Sequence, residues 1–163
     1  MKDQYNIIDN FLSNEDFVNL KNFVTSSDMP WYYNEKINSH YKKNDLTCYF
    51  THNFFNNSNQ SYCFKYLLPI LNKLDLKSLI RIKGNLYPRT NKIEIHKPHI
   101  DYIFPHKSCI FYINTNNGKT ILENGTQIES IQNRMLFFEA SKLHNSTSTT
   151  DKKARININF NYF

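Results

Sequence analysis

Strict alternation of polar and apolar residues marks the last ten residues of the chain. Between positions 154 and 163, Arg155 and three asparagines occupy one set of alternate positions, and Ile156, Ile158 and Phe160 occupy the other. A period of two predicts a β-strand whose apolar face packs on a core. Its polar face fits either the solvent side of an amphipathic edge strand or the lining of a cavity.

Two helices are predicted before the strands begin. Ser13 followed by Asp16 resembles a capping box, and an apolar stripe that starts at Phe17 continues at helical spacing. The second helix is predicted over about residues 61–74, with a bend at Pro69.

From about residue 79 onward, the chain reads as short strands separated by turn residues. Gly118, Gly125 and Asn133 are predicted to mark turns between the later strands. Two helices followed by about eight strands predict a mainly β protein with N-terminal helices. The predicted architecture is a double-stranded β-helix, a jelly-roll or cupin-like barrel, with the helices packed on one sheet.

The length favours one domain. At 163 residues the chain can bury a substantial core, and no repeat, low-complexity tract or linker divides it. We expect a single domain over 1–163, with a helical support region over about 1–78 and a barrel core over about 79–163.

The charge distribution points to no particular macromolecular partner. The net charge of +6 is spread along the chain in short pairs, without a dense basic run, a zinc-finger spacing or a phosphate-binding loop. Most of this charge is expected on a solvated surface. Weak attraction to an acidic peptide or to nucleic acid is compatible with it.

The cysteines and the apolar runs predict a cytoplasmic protein. Three cysteines without paired spacing argue against a disulfide framework and against structural zinc, so reduced thiols are expected. No run is apolar enough to span a bilayer, and the start of the chain lacks a signal-peptide core. The abundance of Asn, Lys and Ile hints at a microbial or viral source, which would place the protein in a microbial or host cytoplasm.

A His-x-Asp pair and a later histidine form a candidate metal site. His99 and Asp101 are two positions apart, so on one strand both side chains would point the same way. With His144 they provide two imidazoles and one carboxylate, the set that holds non-haem Fe(II) on one face and leaves the other positions open. A His-x-Asp pair alone occurs by chance in many chains. The later His144 and Arg155 strengthen it.

Arg155 is the candidate anchor for an anionic ligand. If the polar face of the last strand lines a cavity, the guanidinium could hold a carboxylate in a bidentate pair. An Fe(II) site combined with a carboxylate anchor is what a 2-oxoglutarate-dependent oxygenase requires.

Four stretches of the chain carry a family resemblance. They are Leu86-Tyr87-Pro88, the segment from Cys109 to Asn114, the segment from Asn133 to Phe138, and the final strand from Ala154. In kind and in order they resemble the Fe(II)/2-oxoglutarate-dependent dioxygenases, and they are most similar to the prolyl hydroxylases of the collagen and oxygen-sensing types. The resemblance covers about residues 87–163.

The resemblance implies a role for each matched residue. The metal ligands would be His99, Asp101 and His144, and Arg155 would pair with the C5 carboxylate of 2-oxoglutarate. Three further residues would contact this co-substrate: Tyr112 through its hydroxyl, Tyr87 near the metal, and Leu122 along the methylenes. O2 would be consumed, and ascorbate could stimulate the enzyme. Both tyrosines also fit ordinary core positions.

Several basic residues offer alternatives. Collagen-type relatives use a lysine as the carboxylate anchor, so Lys153 is a second candidate, although Arg155 fits the strand pattern better. His96 is a possible stray ligand, but a supporting or surface position is favoured. His40 and His52 are expected to titrate in solvent. So is His106, unless it borders the substrate entrance.

The resemblance implies hydroxylation of an unactivated C–H bond, with a prolyl residue of a peptide or protein as the preferred substrate. Alternatives are the same chemistry on a nucleobase, another side chain or a small molecule, and a non-catalytic barrel that serves as a binding module. Asn159 and Asn161 could contact a peptide near the iron. Trp31 is expected either to pack under the first helix or to belong to a substrate-contacting lid, and the mobile substrate loop would lie between Tyr33 and Phe50.

Overall fold

The computed structural model describes residues 5–35 and 48–163. Its helices are α1 (Asn14–Val24), a 3₁₀ helix (Tyr62–Leu67) and α2 (Leu68–Leu71). Its strands are β1 (Asn6–Ile8), β2 (Tyr32–Asn34), β3 (Tyr49–Asn56), β4 (Asn59–Gln60), β5 (Leu79–Pro88), β6 (Lys107–Tyr112), β7 (Asn116–Leu122), β8 (Gln127–Ser130), β9 (Arg134–Phe138), β10 (His144–Ser146) and β11 (Ala154–Tyr162). Predicted features at His40 and in most of the proposed substrate loop lie outside the described residues.

The strands form two antiparallel sheets. The main sheet has the order β1-β9-β6-β11-β5-β3-β2, with β4 attached to β3. The small sheet has the order β10-β7-β8. This arrangement, with few helices, confirms the predicted mainly β, double-stranded β-helix class. None of the helices in the described ranges is long and apolar enough to cross a membrane.

The first helix begins as predicted. The Asp16 backbone N–H donates to Ser13 Oγ at 3.1 Å, which satisfies a donor that the first helical turn leaves unpaired. Phe17, Leu20 and Val24 are buried on one side of α1. They pack with β11 residues such as Phe160 in the larger core, so the helix covers one face of the main sheet.

The opposite face of the main sheet meets the small sheet. A second apolar cluster joins Ile110 and Tyr112 of β6 to Leu122 of β7 and Ile128 of β8. Because β11 pairs with β5 on one side and β6 on the other, it is a central strand. Its polar face, which begins at Arg155, is therefore buried inside the barrel and is not the solvent side of an edge strand.

The predicted helical support region also contributes to the barrel. β3 lies within 1–78 but pairs with β5 in the main sheet. Its register shifts between Asn53 and Phe55. That irregularity interrupts the alternation on which recognition of a strand from sequence depends.

Two local predictions also need correction. The second helix is a 3₁₀ helix followed by the short α2, and Pro69 lies in the first turn of α2, where its missing N–H is tolerated. Gly118 lies inside β7 and not in a turn. Gly125 and Asn133 do occupy turns, with backbone φ angles of 85° and 59° in the left-handed region.

Candidate metal centre and anion pocket

The three predicted metal ligands come together in the structure. Candidate ligand atoms of His99, Asp101 and His144, hereafter the His/Asp/His group, all lie within 4.8 Å of one another. The imidazole centroids are 4.5 Å apart, and His99 Nε2 is 3.8 Å from Asp101 Oδ1. All three line one cavity of about 190 Å³. A metal held there would keep positions open toward the cavity.

Backbone hydrogen bonds hold the two histidines side by side. The N–H of each donates to the carbonyl of the other, at 2.9 Å from His99 and 3.0 Å from His144. This is an isolated bridge, so the prediction that one regular strand carries His99 and Asp101 is wrong. Pro98 has no N–H to add to a ladder, which limits regular pairing before the bridge.

The surroundings favour the protonation states that bind metal. Burial lowers the pKa of both His99 and His144. His144 Nδ1 lies 3.1 Å from the Lys142 carbonyl and donates to it, which leaves Nε2 as the ligand atom. Burial alone would raise the pKa of Asp101, but the neighbouring Arg81 charge and other groups hold it below its usual value. Neutral imidazoles and a carboxylate are the required ligand forms.

Two side chains of the main sheet fix the Asp101 carboxylate. Arg81 donates from a terminal guanidinium nitrogen to Oδ1 at 3.0 Å, and Asn159 donates from Nδ2 to Oδ2 at 2.8 Å. Asn159 lines the cavity, but its amide is committed to this carboxylate. It therefore orients a predicted ligand, in addition to any contact with a substrate.

Arg155 lies at the same cavity and is fully buried. Its Nε donates to Ser130 Oγ at 2.8 Å and its NH2 group to Thr120 Oγ1 at 3.0 Å. Its NH1 group is buried without a hydrogen-bond partner in the part of the chain that the structure describes. A buried guanidinium with an unused donor is costly unless a ligand pairs with it.

The position of the Arg155 side chain depends on two residues of β7. Thr120 Oγ1 accepts from both the Arg155 guanidinium and the Tyr112 hydroxyl, the latter at 2.8 Å. A Cβ at Gly118 would lie 2.5 Å from both Arg155 Cδ and the Ser148 carbonyl oxygen. With the Arg155 side chain in its present position, only glycine fits at position 118.

The predicted co-substrate residues differ in how they meet the cavity. Tyr87 lines it, stacks on Tyr49 at 5.6 Å between centroids, and has the Arg155 guanidinium 5.6 Å from its ring centre. Tyr112 and Leu122 are buried in the second core and are not among the described lining residues. The Tyr112 hydroxyl is linked to the cavity through Thr120, which accepts its hydrogen bond and lines the cavity.

Lys83 adds a further positive charge to the cavity. Its Nζ donates to the Tyr49 hydroxyl at 3.4 Å and lies 5.4 Å from the centre of that ring. Burial, with a smaller contribution from the Arg81 charge, lowers the pKa of Lys83 to about 8. Lys83 therefore stays largely protonated at neutral pH.

The two remaining candidate substrate residues lie away from the cavity. Asn161 is fully buried, and its Oδ1 is 3.2 Å from His106 Nε2. The Trp31 indole donates to the Val24 carbonyl at 3.2 Å and packs against the larger core. The structure therefore agrees with the alternative that Trp31 packs with the first helix. Trp31 is therefore committed to interior contacts, and Asn161 is bonded through Oδ1, while its buried Nδ2 has no partner among the described residues.

The structure also shows the burial of the other basic residues that were considered as ligands or anchors. Lys153 is exposed, whereas Arg155 is buried. His96 is buried beside the cavity, where its Nδ1 is 2.8 Å from Ser146 Oγ, as expected of a supporting residue. The expectation that His52 and His106 lie in solvent is wrong, since both are buried and hydrogen-bonded to backbone carbonyls.

Sequence reasoning missed four residues that shape the site. Arg81 and Lys83 come from β5, Thr120 from β7 and Ser130 from β8. The period-two pattern of β5 places Arg81 and Lys83 on one face, but only the pairing of β5 with the central β11 shows that this face is internal. Thr120 and Ser130 carry no signal of their own, because small hydroxyl residues are common in strands and turns.

Comparison with solved structures identifies the fold. A prolyl hydroxylase from Trichoplax adhaerens, solved with a peptide fragment of a hypoxia-inducible-factor oxygen degradation domain, matches with a TM-score of 0.69 and 16% identity, over 99% of this chain and 84% of that one. A prolyl-4-hydroxylase from Pseudomonas putida matches with a TM-score of 0.65 and 12% identity, over 99% and 93% of the two chains.

A viral collagen prolyl hydroxylase from Paramecium bursaria Chlorella virus-1, solved with 2-oxoglutarate, has a TM-score of 0.61 and 13% identity, over 98% of this chain and 96% of that one. No protein-family model and no curated protein sequence matches the chain. These likenesses establish that the chain has the prolyl hydroxylase-like fold of 2-oxoglutarate-dependent Fe(II) oxygenases.

Proposed function

We propose that this protein is an Fe(II)- and 2-oxoglutarate-dependent dioxygenase that hydroxylates an unactivated C–H bond. The reaction converts the substrate R–H, 2-oxoglutarate and O2 into R–OH, succinate and CO2. One observation carries the proposal: the buried Arg155, with its unpaired NH1 donor, lines the same cavity as the His/Asp/His group. That cavity offers a metal-ligating donor set and a carboxylate anchor together.

The donor set fits iron. Two neutral imidazoles and a carboxylate match the ligand preference of non-haem Fe(II), and they leave coordination positions for other ligands. His99, Asp101 and His144 would hold the ion, with Arg81 and Asn159 fixing the Asp101 oxygens. Bound iron would supply the activation of O2 that couples 2-oxoglutarate decarboxylation to hydroxylation.

The protein's own groups would bind and orient the co-substrate. The Arg155 guanidinium, set in place by Ser130 and Thr120, would receive the C5 carboxylate on its free nitrogen. Tyr87 would form one wall beside the metal. Tyr112 would act by holding Thr120, and Leu122 by packing with Tyr112 in the second apolar cluster.

We propose a prolyl residue of a peptide or protein as the substrate. Support comes from the sequence resemblance in the 87–163 region and from the fold shared with solved prolyl hydroxylases, one of them bound to a peptide. Because those strands hold iron and 2-oxoglutarate in enzymes with different substrates, this part of the proposal depends on a direct substrate screen.

The test has two stages. The purified protein with Fe(II), ascorbate and O2 should convert 2-oxoglutarate to succinate, and the Arg155→Ala variant should need at least tenfold more 2-oxoglutarate to reach the same rate. Proline-containing peptides are then incubated with the complete system and analysed by mass spectrometry for the gain of one oxygen. Absence of 2-oxoglutarate turnover contradicts the oxygenase. Oxidation of nucleobases alone, with every prolyl peptide unchanged, contradicts the prolyl substrate.

A further inference from the structure

Lys83 lies beside the metal end of the cavity and not at the Arg155 end. On the main sheet it pairs with Asn159, whose amide holds Asp101, whereas Arg155 pairs with Tyr87. Four residues of an extended strand separate the two register positions, which is about 13 Å. Lys83 is therefore placed next to the reacting centre, away from the anchor of the co-substrate.

The charges of the cavity do not balance without another anion. Among the described residues that line it, Arg81, Lys83 and Arg155 are cations and Asp101 is the one carboxylate. Arg81 is paired with Asp101 at 3.0 Å. The proposed ligands, a dianion and a divalent metal, cancel each other in charge, so an excess of positive charge remains.

The ammonium group of Lys83 has no acidic partner of its own. No carboxylate in the two described ranges lies within 4.0 Å of its Nζ, and its hydrogen bond is to the neutral hydroxyl of Tyr49. Partial burial disfavours a charge that lacks a counter-ion, and an apolar side chain at this position would avoid that cost. Such an arrangement suits a group whose counter-ion arrives with a ligand.

We propose that Lys83, assisted by the Tyr49 hydroxyl, binds a carboxylate of the substrate close to the carbon that is hydroxylated. This inference rests on the proposed function and specifies its substrate class as anionic. Two sources share this chemistry: an acidic residue beside the target residue in a peptide, and the free α-carboxylate of an amino acid.

The experiment measures binding without turnover. Protein loaded with Zn(II) and 2-oxoglutarate in oxygen-free buffer is titrated by calorimetry with matched acid and amide pairs. Peptides with Asp or Asn beside a central Pro, Lys or Asn represent the first source, and free L-proline and L-lysine with their amides represent the second. We expect the wild type to bind the acid of at least one pair about tenfold more tightly than its amide, which is about 1.4 kcal/mol.

The Lys83→Met variant should reduce that preference to less than about twofold, and Lys83→Arg should retain most of it because it keeps the charge. Lys92→Met, which removes an exposed lysine outside the cavity lining, is the matched control. Equal binding of acids and amides by the wild type, or binding of none of them, overturns the inference.

A loss of 2-oxoglutarate affinity in Lys83→Met as large as in Arg155→Ala would assign Lys83 to the co-substrate and would also overturn the inference. Failure of the wild type to bind or decarboxylate 2-oxoglutarate contradicts the proposed function itself. The two failures are therefore distinguishable.

Discussion

The two faces of β11 have different surroundings, although their residues alternate along one strand. Ile156, Ile158 and Phe160 face the helices, where each is enclosed by other apolar side chains. Arg155 and Asn159 face the cavity, where Arg155 donates to Thr120 and Asn159 donates to the carboxylate of Asp101, a proposed metal ligand. The apolar face is complete without a ligand, whereas the polar face retains an unused donor. Stability and function can therefore be perturbed separately.

The largest expected effect concerns the metal. Since outer partners of metal ligands commonly contribute 10-fold to 100-fold to affinity, we expect the direct-ligand variants Asp101→Ala and His99→Ala to weaken Mn(II) or Fe(II) binding by more than about 100-fold. Equilibrium dialysis with metal analysis measures this. Asp75→Ala, which removes a fully exposed carboxylate, should bind one ion per chain like the wild type. Unchanged affinity in either ligand variant would refute the site.

A substitution on the apolar face should reduce stability instead. Phe160→Ala removes a fully buried ring from the larger core, and such changes cost about 3–5 kcal/mol in the free energy of unfolding. Urea denaturation followed by circular dichroism gives the difference. Below the transition, the folded variant should keep wild-type 2-oxoglutarate affinity. A large loss of affinity with little loss of stability would show that the two faces are not separable.

Arg155→Ala changes the polar face of β11 instead of the apolar face. Loss of one partner of a buried charge pair typically costs about 2–5 kcal/mol, so 2-oxoglutarate binding should weaken at least tenfold while metal affinity stays near that of the wild type. Lys153→Ala is the control two residues away, with an exposed side chain. Calorimetry with both variants decides the anchor, since a large effect in the lysine variant alone would move it to Lys153.

The smallest effect is expected from Thr120→Val. This change keeps the shape of the side chain but removes the acceptor that Arg155 and Tyr112 share. Leaving buried donors unpaired costs about 1–3 kcal/mol, so part of the loss should appear in stability and part as a several-fold weaker 2-oxoglutarate affinity. Thr126→Val, at a half-buried position after the turn at residues 123–124, should change neither. An unaltered affinity would mean that Thr120 does not position the guanidinium.

Some of these features could be predicted from the sequence because they depend on local patterns. The alternation of β11, the cap at Ser13 and the His-x-Asp spacing are each visible within a few residues. The roles of Arg81 and Lys83 depend on the burial of one face of β5, which is decided by strands distant in sequence. Likewise, β3 could not be recognised from sequence because its register shift interrupts the alternation. Thr120 has a role only because the fold brings β7 next to Arg155.

Gly118 shows how the proposed carboxylate anchor at Arg155 could be lost without removal of any polar group. A single added methyl at this position would clash with Arg155 Cδ and with a backbone carbonyl, so the guanidinium would have to move from its present position. A mutational survey limited to charged and hydrogen-bonding residues would overlook this position. In comparisons among divergent homologues, a side chain at position 118 would signal a displaced Arg155 guanidinium even where Arg155 and the proposed metal ligands are retained.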